Sequence, residues 1–185
     1  MQGTYFFHRA VKSAILIKLM TTLEETLLIH APIARCFDLA RSVEVHLAGN
    51  THFGEQAVAL GGVTGGLLKL GDTVTWRARH FLVRQQLTSQ ITAYEPPTYF
   101  QDTMLSGAFA SMQHDHYFRA LSTSGSTEAT EMRDVFRFAA PLGPLGRIAE
   151  LLVLRRYMQS LLRERNAVIQ QIAESHTQAW ERYIS

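Results

Sequence analysis

Two histidines stand two residues apart in the segment "MQHDHYFRA", residues 112–120, with Asp115 between His114 and His116. In a β-strand this spacing directs both imidazoles to one face of the sheet, while the residue between them points to the other face. Imidazole pairs bind metals, transfer protons near neutral pH or form the polar lining of a pocket. Which chemistry applies depends on the other residues that share their face.

Five segments in this region alternate between apolar and polar residues with a period of two, as half-buried β-strands do. They cover residues 72–81, 83–94, 98–106, 110–122 and 127–139. The breaks between them carry turn residues, including "EPPT", "SGAF" and "STSGST". Because short breaks join consecutive strands, the segments predict an antiparallel meander.

One face of these strands is predicted to be aromatic and rich in methionine, interrupted by four ionisable side chains. Extending the alternation from the two histidines to the neighbouring strands brings nine residues to this face: Trp76, Phe100, Asp102, Met104, Met112, His114, His116, Phe118 and Asp134. Apolar walls with a few convergent polar groups are typical of small-molecule sites. We therefore predict that these nine residues bind a ligand.

The histidine pair is compatible with four roles. It can form a hydrogen-bonded network with Asp102 and Asp134 that serves only the fold, because each unpartnered buried polar group costs about 1–3 kcal/mol. It can recognise a polar group on an apolar ligand, or perform acid–base catalysis with an aspartate that fixes the imidazole tautomer. A metal site would add Asp102 or Asp134 to the two imidazoles. No further histidine-rich motif supports a metal, and we expect neither a metal nor a cofactor.

The remaining elements must cover that face. Residues 22–31 predict a first strand, and Pro32 begins a helical pattern because proline fits the first turn of a helix. Residues 50–71 include "GGVTGGLLKLG" and predict a mobile loop or a bulged strand. Apolar spacing predicts a long helix within residues 145–175, with a solvated face that carries Arg147, Arg155, Arg163 and Arg165. An apolar helix face must bury against a sheet, so we predict an α+β fold in which a curved antiparallel sheet wraps a long C-terminal helix.

The composition is that of a globular chain. Its 185 residues are 46% hydrophobic with a formal charge of +2, so we expect one domain and no nucleic-acid partner. No segment approaches the ~20 apolar residues of a membrane-spanning helix. Cys36 is the single cysteine, which excludes an intrachain disulfide; we expect a packed residue in a cytoplasmic protein. Residues 1–19 lack a secretory signal, and we expect them to be an appendage outside a single domain at 20–185.

The order of these elements, together with "DTVTWRARHF", "LTSQITAYEPPTYFQDTM", "HDHYF" and "PLGPLG…LLRERN", resembles the START-like SRPBCC superfamily. Within it the chain is similar to bacterial proteins described as polyketide cyclase/dehydrase or ligand-binding SRPBCC proteins, over residues 23–173. The resemblance implies a helix-grip fold, in which the sheet and the long helix enclose a pocket. It does not define a function, because the superfamily includes lipid carriers, hormone receptors, cyclases and oxygenase domains.

Three functional hypotheses follow. The leading one is a cytoplasmic protein that binds a hydrophobic small molecule between the sheet and the C-terminal helix, without catalysis. The first alternative is a cyclase/dehydrase-type lyase or isomerase, in which His114 or His116 is the general base and Asp134 orients it. The second is a lipid or quinone carrier that docks on a membrane or a protein partner through the glycine-rich loop and the arginine-bearing helix.

Overall fold

The computed structural model describes residues 20–51, 54–80, 82–121, 128–141 and 153–184. The expected appendage at residues 1–19 lies outside the described residues, as do residues 145–152 of the predicted C-terminal helix. Within the described ranges the architecture consists of one antiparallel sheet, three α-helices and a 3₁₀ helix.

Seven strands form the sheet, in the order β1-β7-β6-β5-β4-β3-β2, and all neighbours are antiparallel. Their bounds are Thr21–Ile29 (β1), Gln56–Ala57 (β2), Thr73–His80 (β3), Val83–Glu95 (β4), Tyr99–Ser106 (β5), Ser111–Leu121 (β6) and Ala129–Ala139 (β7). Strands β3 to β7 follow one another as the predicted meander, and β1 pairs with β7. The predicted strands are thus confirmed, because alternation over eight or more residues is a strong signal.

Three α-helices cover one face of the sheet: Ile33–Ala40 (α1), Val43–Gly49 (α2) and Arg155–Ala173 (α3), followed by a 3₁₀ helix at Gln178–Tyr183. The helical pattern after Pro32 divides into two helices, because Ser42 begins α2 as its N-cap and accepts a hydrogen bond from the Val45 backbone N–H at 3.2 Å. Gly49 ends α2 where α2 and α3 approach closely: a Cβ at this position would lie 3.2 Å from the Cα of Arg165 on α3.

The core lies between the sheet and the helices. Phe37 of α1 is at its centre, with its ring centroid 5.5–5.6 Å from those of Tyr94, Phe100 and Phe118. Cys36 is fully buried, as expected of a packed residue, and burial raises the pKa of its thiol to about 11. A second apolar cluster towards the other end of the sheet comprises Leu23, Met112, Phe136, Phe138 and Leu162.

The buried face of α3 differs from the prediction at one arginine. Arg163 is exposed and pairs with Glu25 at 2.9 Å, as a solvated face requires. Arg165, however, is only 8% exposed, and its Nη2 donates to the backbone oxygen of Ala40 at 2.9 Å. The expectation that Arg165 is solvated is therefore wrong, because it shares the helix face of Leu162 and Ile169, three and four residues away. Arg147 lies outside the described residues.

In the glycine-rich stretch 50–71, the described residues 50–51 and 54–71 contain the short strand β2 and otherwise no long helix or strand. Glu44 of α2 accepts a hydrogen bond from the Gly66 backbone N–H at 2.9 Å, which joins this stretch to the helix. Gly62 lies against β3, where a Cβ would be only 2.4 Å from the backbone oxygen of Thr73. Among the described helices, none is long and apolar enough to cross a bilayer.

Candidate functional site

A cavity of about 330 Å³ lies between the inner face of the sheet and α3. Most of its wall is apolar, and the apolar residues there include Val74, Trp76, Leu87, Ile91, Phe100, Met112, Phe136, Met158, Leu161 and Leu162. Ligand sites in proteins have volumes of roughly 300–1,000 Å³. The cavity is therefore large enough for a small organic molecule.

Six of the nine residues assigned to this face by alternation line the cavity: Trp76, Phe100, Asp102, Met112, His114 and His116. The other three lie on the same face but away from the cavity wall. Phe118 packs under Phe37 of α1, and Met104 packs against the second apolar cluster. Asp134 is fully buried behind the two histidines.

Four polar residues from three adjacent strands form a group that we call the inner cluster: Asp102, His114, His116 and Asp134. Strand register brings them together, with Asp102 opposite His114 and His116 opposite Asp134. Asp134 Oδ1 lies 2.6 Å from His116 Nδ1 and 3.4 Å from His114 Nε2. Asp102 Oδ2 lies 3.2 Å from His116 Nε2 and 3.9 Å from His114 Nδ1. Both imidazoles are thus held between two carboxylates, of which Asp102 is the one on the cavity wall.

The pKa values of the two imidazoles are shifted in opposite directions. Burial, followed by the positive charge of His116, lowers the pKa of His114 to about 4 despite the nearby aspartates. Burial also opposes the charged form of His116, but the charge of Asp134 and hydrogen bonds to both aspartates outweigh it and raise the pKa. Burial likewise opposes ionisation of Asp102 and Asp134, and the histidines overcome it and lower both pKa values. At neutral pH His114 is therefore neutral and both aspartates are ionised, while the aspartates favour the charged form of His116.

Aromatic rings fix the orientation of both imidazoles. Phe100 stacks on His116 with centroids 4.1 Å apart and an angle of 19° between the rings. Phe136 meets His114 edge-on at 5.2 Å and 89°. Close packing of this kind restricts side-chain rotation, so the ring nitrogens point in defined directions.

Two buried atoms of the inner cluster have no hydrogen-bond partner among the described residues: His114 Nε2 and Asp134 Oδ2. His114 Nε2 is 3.4 Å from Asp134 Oδ1, but without the geometry of a hydrogen bond. Each such atom costs about 1–3 kcal/mol of stability. Unpaired buried atoms call for an explanation, because most buried polar groups in native proteins are hydrogen-bonded.

A second polar group lines the same cavity, and we call it the Glu55 cluster: His46 of α2, Asn50 after α2, and Glu55. Asn50 Nδ2 donates to Glu55 Oε2 at 2.6 Å, and His46 Nε2 lies 3.1 Å from the same oxygen. Burial opposes ionisation of Glu55, but His46 and Asn50 outweigh it and lower the pKa. The His46 ring also stacks on Trp76 of β3, with centroids 3.8 Å apart.

Three further polar residues of the cavity wall make contacts between elements, two of them between the sheet and α3 and one between α3 and α1. His80 at the end of β3 forms a 2.6 Å hydrogen bond from Nδ1 to the hydroxyl of Tyr157 on α3. Burial lowers the pKa of His80 and raises that of Tyr157. Arg165 of α3 is the third, held by the carbonyl of Ala40.

Sequence reasoning missed all six of these residues, although two had a usable signal. His80 has the same parity on β3 as Trp76, so extending the alternation to the end of the strand would have included it. Arg165 has the helical spacing of its buried neighbours on α3. Asn50 and Glu55 lie outside regular elements, where no periodicity exists.

The chain has no match among protein-family models or curated proteins. Solved structures do resemble it. A START superfamily protein from Mycobacterium smegmatis has a TM-score of 0.62 at 9% identity, covering 84% of this chain and 99% of that one. TTHA0849 from Thermus thermophilus has a TM-score of 0.60 at 15% identity, covering 84% and 100%. Ginseng major latex-like protein 151 from Panax ginseng has a TM-score of 0.52 at 14% identity, covering 85% and 99%.

These similarities define the class of fold. The chain has a START-like helix-grip fold, an α+β arrangement in which an antiparallel sheet packs on a long C-terminal helix. The fold implied by the sequence resemblance is thus confirmed. At identities of 9–15% the similarity concerns the fold alone.

Proposed function

We propose that the protein binds a hydrophobic small molecule in the cavity between the sheet and α3, with a polar group of that molecule at the inner cluster. The composition of the cavity wall carries the proposal. The wall is mostly apolar, and at one side it includes Asp102 and the two buried imidazoles. Removing apolar ligand surface from water favours binding by about 25 cal/mol per Å². We place this activity in the cytoplasm, as the single cysteine predicts.

The positions of the two polar groups restrict the ligand. The inner cluster lies on β5 to β7, whereas His46 of the Glu55 cluster stacks on Trp76 of β3. Strands β6 and β3 are three positions apart in the sheet, which corresponds to roughly 14 Å at the usual strand spacing. The proposed ligand is therefore elongated, apolar in its middle and able to form hydrogen bonds at both ends.

Trp76 provides a direct test, because it lines the cavity and the chain has only one other tryptophan, Trp180. In a Trp180→Phe background, fluorescence reports on Trp76 alone. We expect saturable binding of one equivalent from a panel of 1-anilinonaphthalene-8-sulfonate, naphthoate and decanoate, with a change in Trp76 emission. Native mass spectrometry of the protein purified from its own host would then identify a carried molecule.

A matched pair of variants separates cavity binding from surface binding. Ala78→Leu adds bulk at the cavity wall and should weaken probe binding at least about 10-fold, whereas Ala120→Leu makes the same change at an exposed position and should have no effect. Circular dichroism verifies that both variants fold. Equal affinity in both variants, or no saturable binding of any probe to the parent, would refute the proposal.

The enzyme alternative has one specific observation in its favour. Asp134 Oδ1 lies 2.6 Å from His116 Nδ1, an arrangement that orients and charges an imidazole for proton transfer. In that mechanism the imidazolium of His116 is the general acid and neutral His114 is the base. A ligand identified by mass spectrometry should then lose water or isomerise on incubation, and His116→Gln should abolish this turnover while binding persists. An unchanged ligand mass would exclude dehydration.

A further inference from the structure

The nitrogen and oxygen atoms of the inner cluster divide into a back set and a front set. In the back set, Asp134 Oδ1 faces His116 Nδ1 and His114 Nε2, at 2.6 and 3.4 Å. In the front set, Asp102 Oδ2 faces the opposite ring nitrogens, His116 Nε2 and His114 Nδ1, at 3.2 and 3.9 Å. The cluster therefore directs one nitrogen of each imidazole towards Asp102.

The spacing of the front set suits a metal ion. One ligand atom each from Asp102, His114 and His116 can be chosen so that all lie within 4.8 Å of one another. Two metal–ligand bonds of about 2.0–2.1 Å at a tetrahedral angle place the ligand atoms roughly 3.3 Å apart. The distance between His116 Nε2 and Asp102 Oδ2 matches this value, and a shift of about 0.6 Å would bring His114 Nδ1 to the same spacing.

The back set supplies the second requirement of a metal site. Histidines that ligate metals nearly always donate their other ring N–H to a carboxylate, a carbonyl or water, which fixes the tautomer and the ring direction. Asp134 is fully buried in that position behind both imidazoles. With both imidazoles neutral, a divalent cation would balance the two buried carboxylates, and its binding releases to solvent the proton held between His116 Nε2 and Asp102.

We infer that the inner cluster binds a divalent transition-metal ion such as Zn²⁺ or Fe²⁺. The ligands are Asp102, His114 and His116, and Asp134 is a positioning residue. Three protein ligands leave at least one coordination position open, and all three ligands line the cavity. An oxygen of the cavity ligand binds the metal at this position. That final step rests on the proposed function, whereas the metal site itself does not.

The test uses the full chain, stripped with a chelator and then titrated with Co²⁺ by visible absorption and with Zn²⁺ by calorimetry. We expect one equivalent of each ion and visible Co²⁺ bands. His114→Gln and His116→Gln should each weaken metal binding more than about 100-fold. This loss exceeds the loss expected when only a residue that hydrogen-bonds to a ligand is replaced. Asp134→Asn should keep one equivalent with affinity reduced about 10–100-fold. His176→Gln, at an exposed position, is the matched control and should bind as the parent does.

A third ligand variant and a parallel titration with the fluorescent probe distinguish loss of the metal site from loss of the fold or of the cavity. Asp102→Asn replaces the most exposed ligand, with a side chain 19% accessible, so it should lose metal binding with the least disturbance of the fold. The metal site would be overturned if the parent bound the metal no more tightly than the folded Asp102→Asn variant. It would also be overturned if His176→Gln weakened metal binding as much as the ligand variants do. The anilinonaphthalene probe is titrated in parallel on stripped protein. Retained probe binding without metal binding would refute the metal site alone, and retained metal binding without probe binding would refute the proposed function alone.

Discussion

Strand β6 contributes to two buried polar networks on its opposite faces, and the two differ in how completely they are paired. On the outer face, Asp115 is 2% exposed and forms a network with Tyr99, Gln101, Gln113 and Arg137. Tyr99 and Gln101 donate to Asp115 Oδ1 at 2.7 Å each, while Gln113 and Arg137 donate to Oδ2. Both carboxylate oxygens are therefore satisfied. On the inner face, one oxygen of Asp134 has no hydrogen-bond partner among the described residues.

The difference separates a fully paired network from a partly paired one that faces the cavity and that we propose as a binding site. Burial opposes ionisation of Asp115, but its donors outweigh it and lower the pKa; burial and the Asp115 charge both raise the pKa of Tyr99. A fully paired buried carboxylate of this kind stabilises the native state. The inner cluster contributes less stability per buried group, because some of its atoms are unpaired, and it is the one that faces the cavity.

The largest effect on stability is expected at the outer network. Asp115→Ala leaves three neutral donors and Arg137 without their shared acceptor, and should lower the free energy of unfolding by about 3 kcal/mol. Urea denaturation measures this loss. Glu24→Gln is the control, because Glu24 pairs with Arg133 at 2.9 Å on the exposed surface and should cost less than about 0.5 kcal/mol. Similar losses in both variants would contradict the distinction between buried and exposed pairs.

An intermediate effect is expected at Glu55, a cavity-facing carboxylate that is paired. Glu55→Gln should destabilise by about 1–2 kcal/mol at neutral pH, because it removes the charge that accepts the Asn50 hydrogen bond. The pKa of Glu55 is lowered from 4.5 in the folded protein, so this stabilisation is complete above the unfolded-state pKa and is lost as the pH falls through the folded-state value. The stability difference between parent and variant should therefore shrink in acid. A difference that grows below pH 4.5 would contradict this sign.

The smallest effect on stability is expected at His114, although its effect on binding is large. His114 is buried, and its Nε2 has no hydrogen-bond partner among the described residues, so His114→Leu should change the free energy of unfolding by less than about 1 kcal/mol. The same variant should lose the Co²⁺ bands. A destabilisation comparable to that of Asp115→Ala would show that the inner cluster also serves the fold.

The sequence predicted the sheet well and the site in part, for physical reasons that differ. Two-residue alternation is a local property, so the sheet face on which Trp76, His114 and His116 lie could be assigned from the sequence alone. The 3.2 Å approach of Asp102 to His116, in contrast, depends on the register between β5 and β6, which alternation does not give. The Glu55 cluster depends on how irregular backbone packs on α2, which no periodic pattern encodes.

The alternation of Asp115 with its neighbours on β6 has a consequence for how the protein can diversify. A slip of one residue would move Asp115 into the cavity and both histidines to the outer face, so the outer network opposes any such slip. The inner and outer networks share strands β5, β6 and β7 but no side chain. Inner residues can therefore be exchanged in evolution or by design while the strand keeps its position. New ligand preferences become accessible without rebuilding the scaffold.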